Sequence, residues 1–345
     1  MLSLHSAILR AHRSSAQVLI ALGVSALILA ACSSDEGDNT SLGASTTTTT
    51  INARLAADPI DATLDPNRTT TTAPQASTRA NPILHVLGSI RSITDPSAAW
   101  QSDVPVIGND LVTVASLGCA PTAEGCGADE VTGWSLGGVD LLNVATAEAA
   151  TAGEDLRTFV VDVGTKGLNV LGYGPNEASA VNGLTAGSGD SMISLHAISL
   201  RADDAASAGA VTAGIAGPAS FDALLEEVAT RHEEGLGVVV VVDVGSLDDR
   251  SPTPEQIDSI QQLVDAGVDA VIGHGSDFIQ RFDRVGQSTV AYSLGNAVID
   301  TPEALRADSA LLRLEFGNPG QACLLPTTAT AIGPLLDDLS VQGCR

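Results

Sequence analysis

Lysine is all but missing from this chain. Lys166 is the only one; the rest of the 16 basic residues are arginines, set against 41 Asp and Glu, for a formal net charge of −25. That balance excludes a duplex nucleic-acid binder, which needs cations to displace phosphate counterions. It also excludes a polybasic membrane-surface protein. Nucleic acid is therefore not an expected partner. Aromatic residues are scarce too, at 3%, so a core must be built from Val, Ile, Leu and Ala. The chain does have 44% hydrophobic residues and 34 glycines, which excludes a wholly disordered polypeptide. Its 345 residues allow one large domain or two small ones.

The shortage of acid is local. None precedes Asp35, and Arg10 and Arg13 stand before Val18–Ala31, a run of 14 residues without charge. A membrane-spanning helix needs about 20 apolar residues, so this run reads as the apolar region of a signal peptide. Leu29-Ala30-Ala31-Cys32 resembles a bacterial lipobox, in which the cysteine sulfur is lipidated and the chain is cut before it. The expectation is a signal peptide over 1–31 and a mature protein starting at a lipid-bearing Cys32, with charge 14 − 41 = −27. The lipid would anchor it to the extracytoplasmic face of the cell membrane. Residues 32–81 are rich in Thr, including Thr46–Thr50 and Thr69–Thr72, with no sustained apolar period. Such a segment cannot bury enough surface to offset its chain entropy. It reads as a disordered tether with a reach of roughly 40 Å.

From residue 82 to 345, apolar runs alternate with amphipathic segments. Ile83–Ile90, Leu111–Ser116, Leu168–Leu171, Ile193–Leu200, Gly237–Asp243, Ala270–Ile272 and Thr289–Leu294 read as strands. Val238–Val242 is five consecutive valines, the pattern of a strand covered on both faces. Thr253-Pro254-Glu255-Gln256 predicts a capping box, with Ile257, Ile260 and Val264 at helical spacing and Gly267 as the stop. A second helix is predicted from Ser220, with Phe221, Leu224, Leu225 and Val228 as its apolar stripe. Leu311–Phe316 and Cys323–Thr330 predict closing strands. The fold class is α/β.

Cysteines beyond Cys32 number four. An oxidising compartment favours disulfides, and closure is least costly for the shortest loops, so Cys119–Cys126 and Cys323–Cys344 are the expected pairs. Gly172-x-Gly174 followed by Pro175 reads as a turn, not a dinucleotide loop. Gly187-Ser188-Gly189-Asp190-Ser191 is turn chemistry as well. His85, inside an apolar strand, reads as packing.

The stretch Gln261–Asp300 is the most informative. It contains LVDAGVDAVIGHGSDFIQRF and then VAYSLGNAVID. With Gly138–Asn143 (GVDLLN) and Leu171–Ala178 (LGYGPNEA) upstream, it resembles the CapA-like family of capsule and poly-γ-glutamate synthesis proteins. Tyr292-Ser293-Leu294-Gly295-Asn296 matches that family's YSLGN block residue for residue, and order and spacing hold over about 83–300. The resemblance implies a calcineurin-type metallophosphatase-like layered α/β sandwich, with metal ligands on strand-end loops. It also implies capsule or surface-polymer machinery as a partner. Two metals in such a centre clamp a phosphoryl group and activate water.

The chain departs from the family where the metals would sit. Gly88-Ser89 replaces Gly-Asp, and Ser116-Leu117-Gly118 replaces Asn-Leu-Glu. Thr146-Ala147-Glu148 stands for Asn-Asn-His, Asp243-Val244 for His-Trp, and Gly273-His274-Gly275-Ser276-Asp277 for Gly-His-His-Pro-His. Of five histidine positions only His274 is kept. His274, Asp243, Asp277, Glu148 and Asn296 are the remnant-site candidates. Their carboxylates imply at most a weak Mg²⁺ or Ca²⁺ site. The expected function is a non-catalytic CapA-like module; a metal-dependent hydrolase with a rebuilt ligand set is the alternative.

Overall fold

Five valines set the architecture. In a computed structural model of the protein, Gly237–Asp243 is a strand lying parallel between Ile193–Ser199 and Ala270–His274. Its side chains alternate between two cores. Val239 and Val241 join the core shared with a second sheet, while Val238, Val240 and Val242 pack with Leu224, Val228, Ile260 and Leu263 of two covering helices. A polar residue anywhere in the run would enter one core or the other. Full burial of each valine contributes about 1.5–3 kcal/mol.

The structure describes residues 50–51, 82–91, 110–122, 126–127, 131–136, 138–188, 192–299, 308–316, 321–330 and 335–336. The expected signal peptide, Cys32, Cys344 and the 32–81 tether apart from Thr50–Ile51 lie outside these residues. Thr50–Ile51 forms a short strand parallel to Leu184–Ala186.

Two sheets make a layered α/β sandwich, as expected. The first continues from Leu184–Ala186 through Ile193–Ser199, Gly237–Asp243, Ala270–His274 and Ser288–Ala291 to the edge strand Phe282–Val285. The second runs Leu335–Leu336, Gln321–Thr328, Asp308–Glu315, Ile83–Ile90, Val112–Leu117, Leu141–Asn143 and Asn169–Leu171. Ile83–Ile90 pairs in parallel with Val112–Leu117 but antiparallel with Asp308–Glu315. The closing strands Asp308–Glu315 and Gln321–Thr328 pair antiparallel.

One expected strand is in fact two elements. Thr289–Leu294 is predicted as a single strand, but Ser288–Ala291 ends at Ala291. Tyr292–Gly295 then turns, with Gly295 at φ 71° and its N–H donating to Ser293 Oγ at 3.1 Å. The chain crosses to the other sheet, where Asn296 pairs with Ser89. The YSLGN block is the crossover between the sheets.

The helix Pro254–Asp265 carries the predicted capping box. Gln256 N donates to Thr253 Oγ1, and Thr253 N donates to Gln256 Oε1 at 2.9 Å. Gln256 Nε2 also donates to the Val244 carbonyl at 3.0 Å, fixing the helix to the loop after the valine strand. Gly267 lies at φ 99°, where only glycine is unstrained. The second covering helix is Phe221–Glu233. A third, Glu154–Thr165, is not anticipated from sequence, though Leu156, Phe159 and Val163 bury at helical spacing. Among the described residues no helix is long and apolar enough to cross a membrane.

Cys119 and Cys126 are disulfide-bonded, with Cα atoms 5.9 Å apart. Cys323 is also disulfide-bonded. His85 is buried and more than packing, because its Nδ1 donates to Asp110 Oδ2 at 2.9 Å. Burial pushes the Asp110 carboxyl up, but its bonds to His85 and Thr113 outweigh that and hold it below its ordinary value. His196 is buried in the first sheet. Its Nδ1 donates to the Val181 carbonyl at 2.9 Å, and Ser194 Oγ donates to its Nε2 at 2.8 Å. Burial drives its pKa below the ordinary imidazole value.

Two outcomes are expected. Cys119→Ser opens an eight-residue loop and should lower unfolding free energy by about 2 kcal/mol in urea; an unchanged midpoint would refute a stabilising crosslink. The second concerns pH. Unfolded His196 takes up a proton below about pH 6.5, whereas folded His196 resists it. Stability should therefore fall as pH drops from 7.5 to 5, with a shallower slope in His196→Gln. Equal slopes would contradict a buried neutral imidazole.

Candidate functional site

Polar residues gather where the two sheets present their strand ends to each other. Register aligns Asn296, Ser89, Ser116 and Asn143 across the second sheet. It aligns Ser199, Asp243 and His274 across the first. All seven are buried. Asn143 Nδ2 donates to His274 Nε2 at 3.0 Å and so joins the rows; it also donates to Ser116 Oγ at 3.1 Å. Except for Asn296, each residue ends its strand or stands one place before the end. Carboxyl ends of parallel strands are where open α/β sheets hold ligands.

Two arginines, neither anticipated from sequence, fill the space between these rows. Arg201 follows the strand Ile193–Ser199. Its Nη1 donates to Asp243 Oδ1 at 2.8 Å and its Nη2 to Glu148 Oε1 at 3.1 Å. Arg91 follows the strand Ile83–Ile90. Its Nη2 donates to Asp277 Oδ1 at 2.8 Å, its Nε to Asn296 Oδ1 at 3.2 Å and its Nη1 to the Gly118 carbonyl at 2.8 Å. Arg91 Nη1 also lies 4.0 Å from Glu148 Oε1. Glu148 thus stands between both guanidiniums. Asn296 Nδ2 donates to Asp277 Oδ1 at 3.2 Å and completes the ring of contacts.

All five candidates predicted from sequence therefore lie in or against this network. Asp277 accepts from Arg91 and Asn296. Glu148 is paired with Arg201. Asp243 accepts at Oδ2 from the Ala147 N–H at 2.6 Å and from Ser199 Oγ at 2.8 Å, in addition to Arg201 at Oδ1. The Ala147 N–H is available because it opens the short helix Ala147–Ala150, whose cap Thr146 accepts from Ala149 N.

The electrostatics follow from burial. His274 is driven down to about 3 by burial, which outweighs the opposing pull of Glu148. It is neutral, and with Nε2 accepting from Asn143, its proton sits on Nδ1, which has no hydrogen-bond partner. Burial pushes the Asp243 carboxyl up, against Arg201 and its other donors. Burial works against the Arg201 charge, but Asp243 and Glu148 overcome it and hold the guanidinium above its ordinary value.

Two divalent cations do not fit this donor set. Both Asp243 oxygens, both ends of the Asn296 amide and the Asp277 and Glu148 oxygens named above are already engaged. Any metal here would meet two guanidinium charges at close range. Gly275 has no donor and cannot gain one cheaply. It lies at φ 103°, and a Cβ there would fall 2.4 Å from the Gly245 carbonyl oxygen and 2.6 Å from both Arg201 Nη1 and Asp243 Oδ1. Among the described residues no three His, Cys, Asp or Glu side chains cluster to hold a metal ion.

Comparison with known proteins agrees with the sequence motifs. Residues 135–301 match the family described as "Bacterial capsule synthesis protein PGA_cap". The chain is 35% identical over 107 residues to the capsule biosynthesis protein CapA of Bacillus anthracis, covering 30% of this chain and 26% of that protein. It thus spans about a quarter of the curated relative it matches. Among solved structures, a 5'-nucleotidase from Staphylococcus aureus is similar at TM-score 0.48 and 11% identity, over 76% of this chain and 56% of that one. A hypothetical protein from Thermus thermophilus is similar at TM-score 0.46 and 12% identity, over 71% of this chain and 99% of that one. Likeness at that level carries no argument about chemistry. The matched stretch begins just before the strand Leu141–Asn143 and ends just beyond the YSLGN crossover, taking in all five candidate positions and Arg201, and over it the chain is similar to CapA-like capsule synthesis proteins.

Proposed function

We propose that this CapA-like protein is a non-catalytic module, anchored by lipid at Cys32 to the extracytoplasmic face of the cell membrane. There it works in synthesis, export or attachment of a capsule or surface polymer. The observation that carries the non-catalytic reading is the pairing of Arg91 and Arg201 with Asp277, Glu148 and Asp243. Phosphoryl transfer in a two-metal centre needs open coordination positions on cations held by preplaced donors. Here the donors are neutralised by groups that are covalently part of the chain and cannot polarise a water as a metal does.

The alternative is a hydrolase with a rebuilt ligand set. It draws on Ser89 Oγ and His274 Nδ1, both buried without hydrogen-bond partners. A hydroxyl and an N–H-bearing ring nitrogen are a poor substitute for the family's carboxylate and imidazole donors, and the non-catalytic reading is the better supported.

Purified protein should contain no stoichiometric transition metal. It should not turn over bis-p-nitrophenyl phosphate with added Mn²⁺, Mg²⁺ or Zn²⁺. Two tightly bound metals, or turnover abolished by His274→Ala, would restore the hydrolase. Arg201→Ala leaves a buried carboxylate uncompensated and should cost about 3–5 kcal/mol of stability, whereas Arg201→Leu combined with Asp243→Asn should recover most of that loss. Equal damage from the single and double variants would show that the charge pairing is not what holds the site. Mass spectrometry of the mature N-terminus should find a diacylglyceryl-modified Cys32; a mature chain starting elsewhere would overturn the anchor.

A further inference from the structure

Beside the arginine network lies a cleft that the network does not explain. It has a volume of about 760 Å³, within the range of ligand sites, about 300–1,000 Å³. Arg201 forms part of its wall. Its remaining charged and aromatic lining is Arg157, Glu154, Asp203 and Tyr173; most of the rest is alanine and glycine. Small side chains leave the cleft open, so a ligand can approach the backbone closely.

Arg157 is the lining residue with a charge to spare. In a chain of net charge −25, five of the eight described arginines, Arg91, Arg201, Arg231, Arg281 and Arg313, have carboxylate partners. Arg157 has no ion pair among the described residues. It projects from the first turn of the helix Glu154–Thr165. Its charge acts on the half-buried Tyr173, whose hydroxyl burial pushes up and Arg157 pulls down. An unpaired guanidinium near a phenol ring, with two carboxylates on the same cleft, is a mixed surface. It offers one strong anion contact, one flat face and two hydrogen-bond acceptors.

We propose that this cleft binds a carboxylated saccharide, one or two sugar rings bearing a single carboxylate. Arg157 pairs with the carboxylate, for which a planar guanidinium is the fitting donor. The Tyr173 ring covers the C–H face of the sugar, and Glu154 and Asp203 accept from its hydroxyls. A polyanion is disfavoured, because the same two acids and the charge of the whole chain oppose it. An apolar ligand is disfavoured because it would strip water from four charged groups without replacing their hydrogen bonds. The site is separate from the metal question, so it stands whether or not the neighbouring centre is catalytic.

The test is calorimetric titration of the full chain, in chelator, with D-glucuronate and a glucuronate-containing disaccharide. D-glucose and tri-glutamate are the comparators. Glucuronate should bind at least ~10-fold more tightly than glucose, and Arg157→Gln should erase that preference, a loss of about 1.4 kcal/mol. Tyr173→Ala should weaken both sugars, while Arg231→Gln, on another helix, should leave binding unchanged. No binding by the wild-type chain up to about 10 mM, equal affinity for glucose, unchanged binding in Arg157→Gln, or tighter binding of tri-glutamate would each overturn the proposal. Because the readout is binding without metal, its failure and that of the non-catalytic reading are distinguishable.

Discussion

A carboxylate with no solvent exposure must be neutralised by something at hand, and at Asp243 that something is Arg201. Taking both ions out of water costs several kcal/mol each, recovered only where geometry is good and the remaining lone pairs are satisfied. Asp243 meets both conditions through Arg201, Ser199 and the Ala147 N–H. These contacts reach from the valine strand to the neighbouring strand end and across to the first turn of the helix Ala147–Ala150. The same pair therefore ties together elements from both sheets. Arg91 does the same work opposite it, linking the strand Ile83–Ile90 to the loop after Ala270–His274 and to the crossover at Asn296.

The cores make such a network possible. With 3% aromatic residues, both cores are built mainly from branched aliphatic chains and alanine, with Trp134, Phe159 and Tyr292 as the buried aromatics. Gly88 and Gly273 allow the YSLGN crossover to pass against the strands: a Cβ at either would lie 2.2 Å from a carbonyl oxygen of Gly295 or Tyr292. The sheets can thus bring their polar strand ends within hydrogen-bond distance, as the Asn143–His274 contact shows.

Much of this is legible in the residues. Val238–Val242 declares a doubly covered strand, and Thr253 with Gln256 declares a helix start, because both signals are local. The YSLGN block identifies the family but conceals its own geometry, since an apolar run ending in Gly-Asn reads the same whether it stays in one sheet or changes sheets. The arginines are hidden for a different reason. Arg91 finds Asp277 at a separation of 186 residues and Arg201 finds Asp243 at 42, and no periodicity encodes such pairs. A faint signal exists: each arginine comes at the end of a predicted strand, in a chain with only 16 basic residues against 41 acids.

Gly275 gives the site a direction in sequence space. Two single steps toward a metal-binding arrangement both meet a cost. Restoring histidine at Gly275 forces a side chain into space held by Arg201 and Asp243, on a backbone that disfavours it. Removing Arg201 first leaves the buried Asp243 without a cation. Each of these steps lowers stability before a second step can return it, so single substitutions at the centre of the network are held back by the partners that the first one leaves behind.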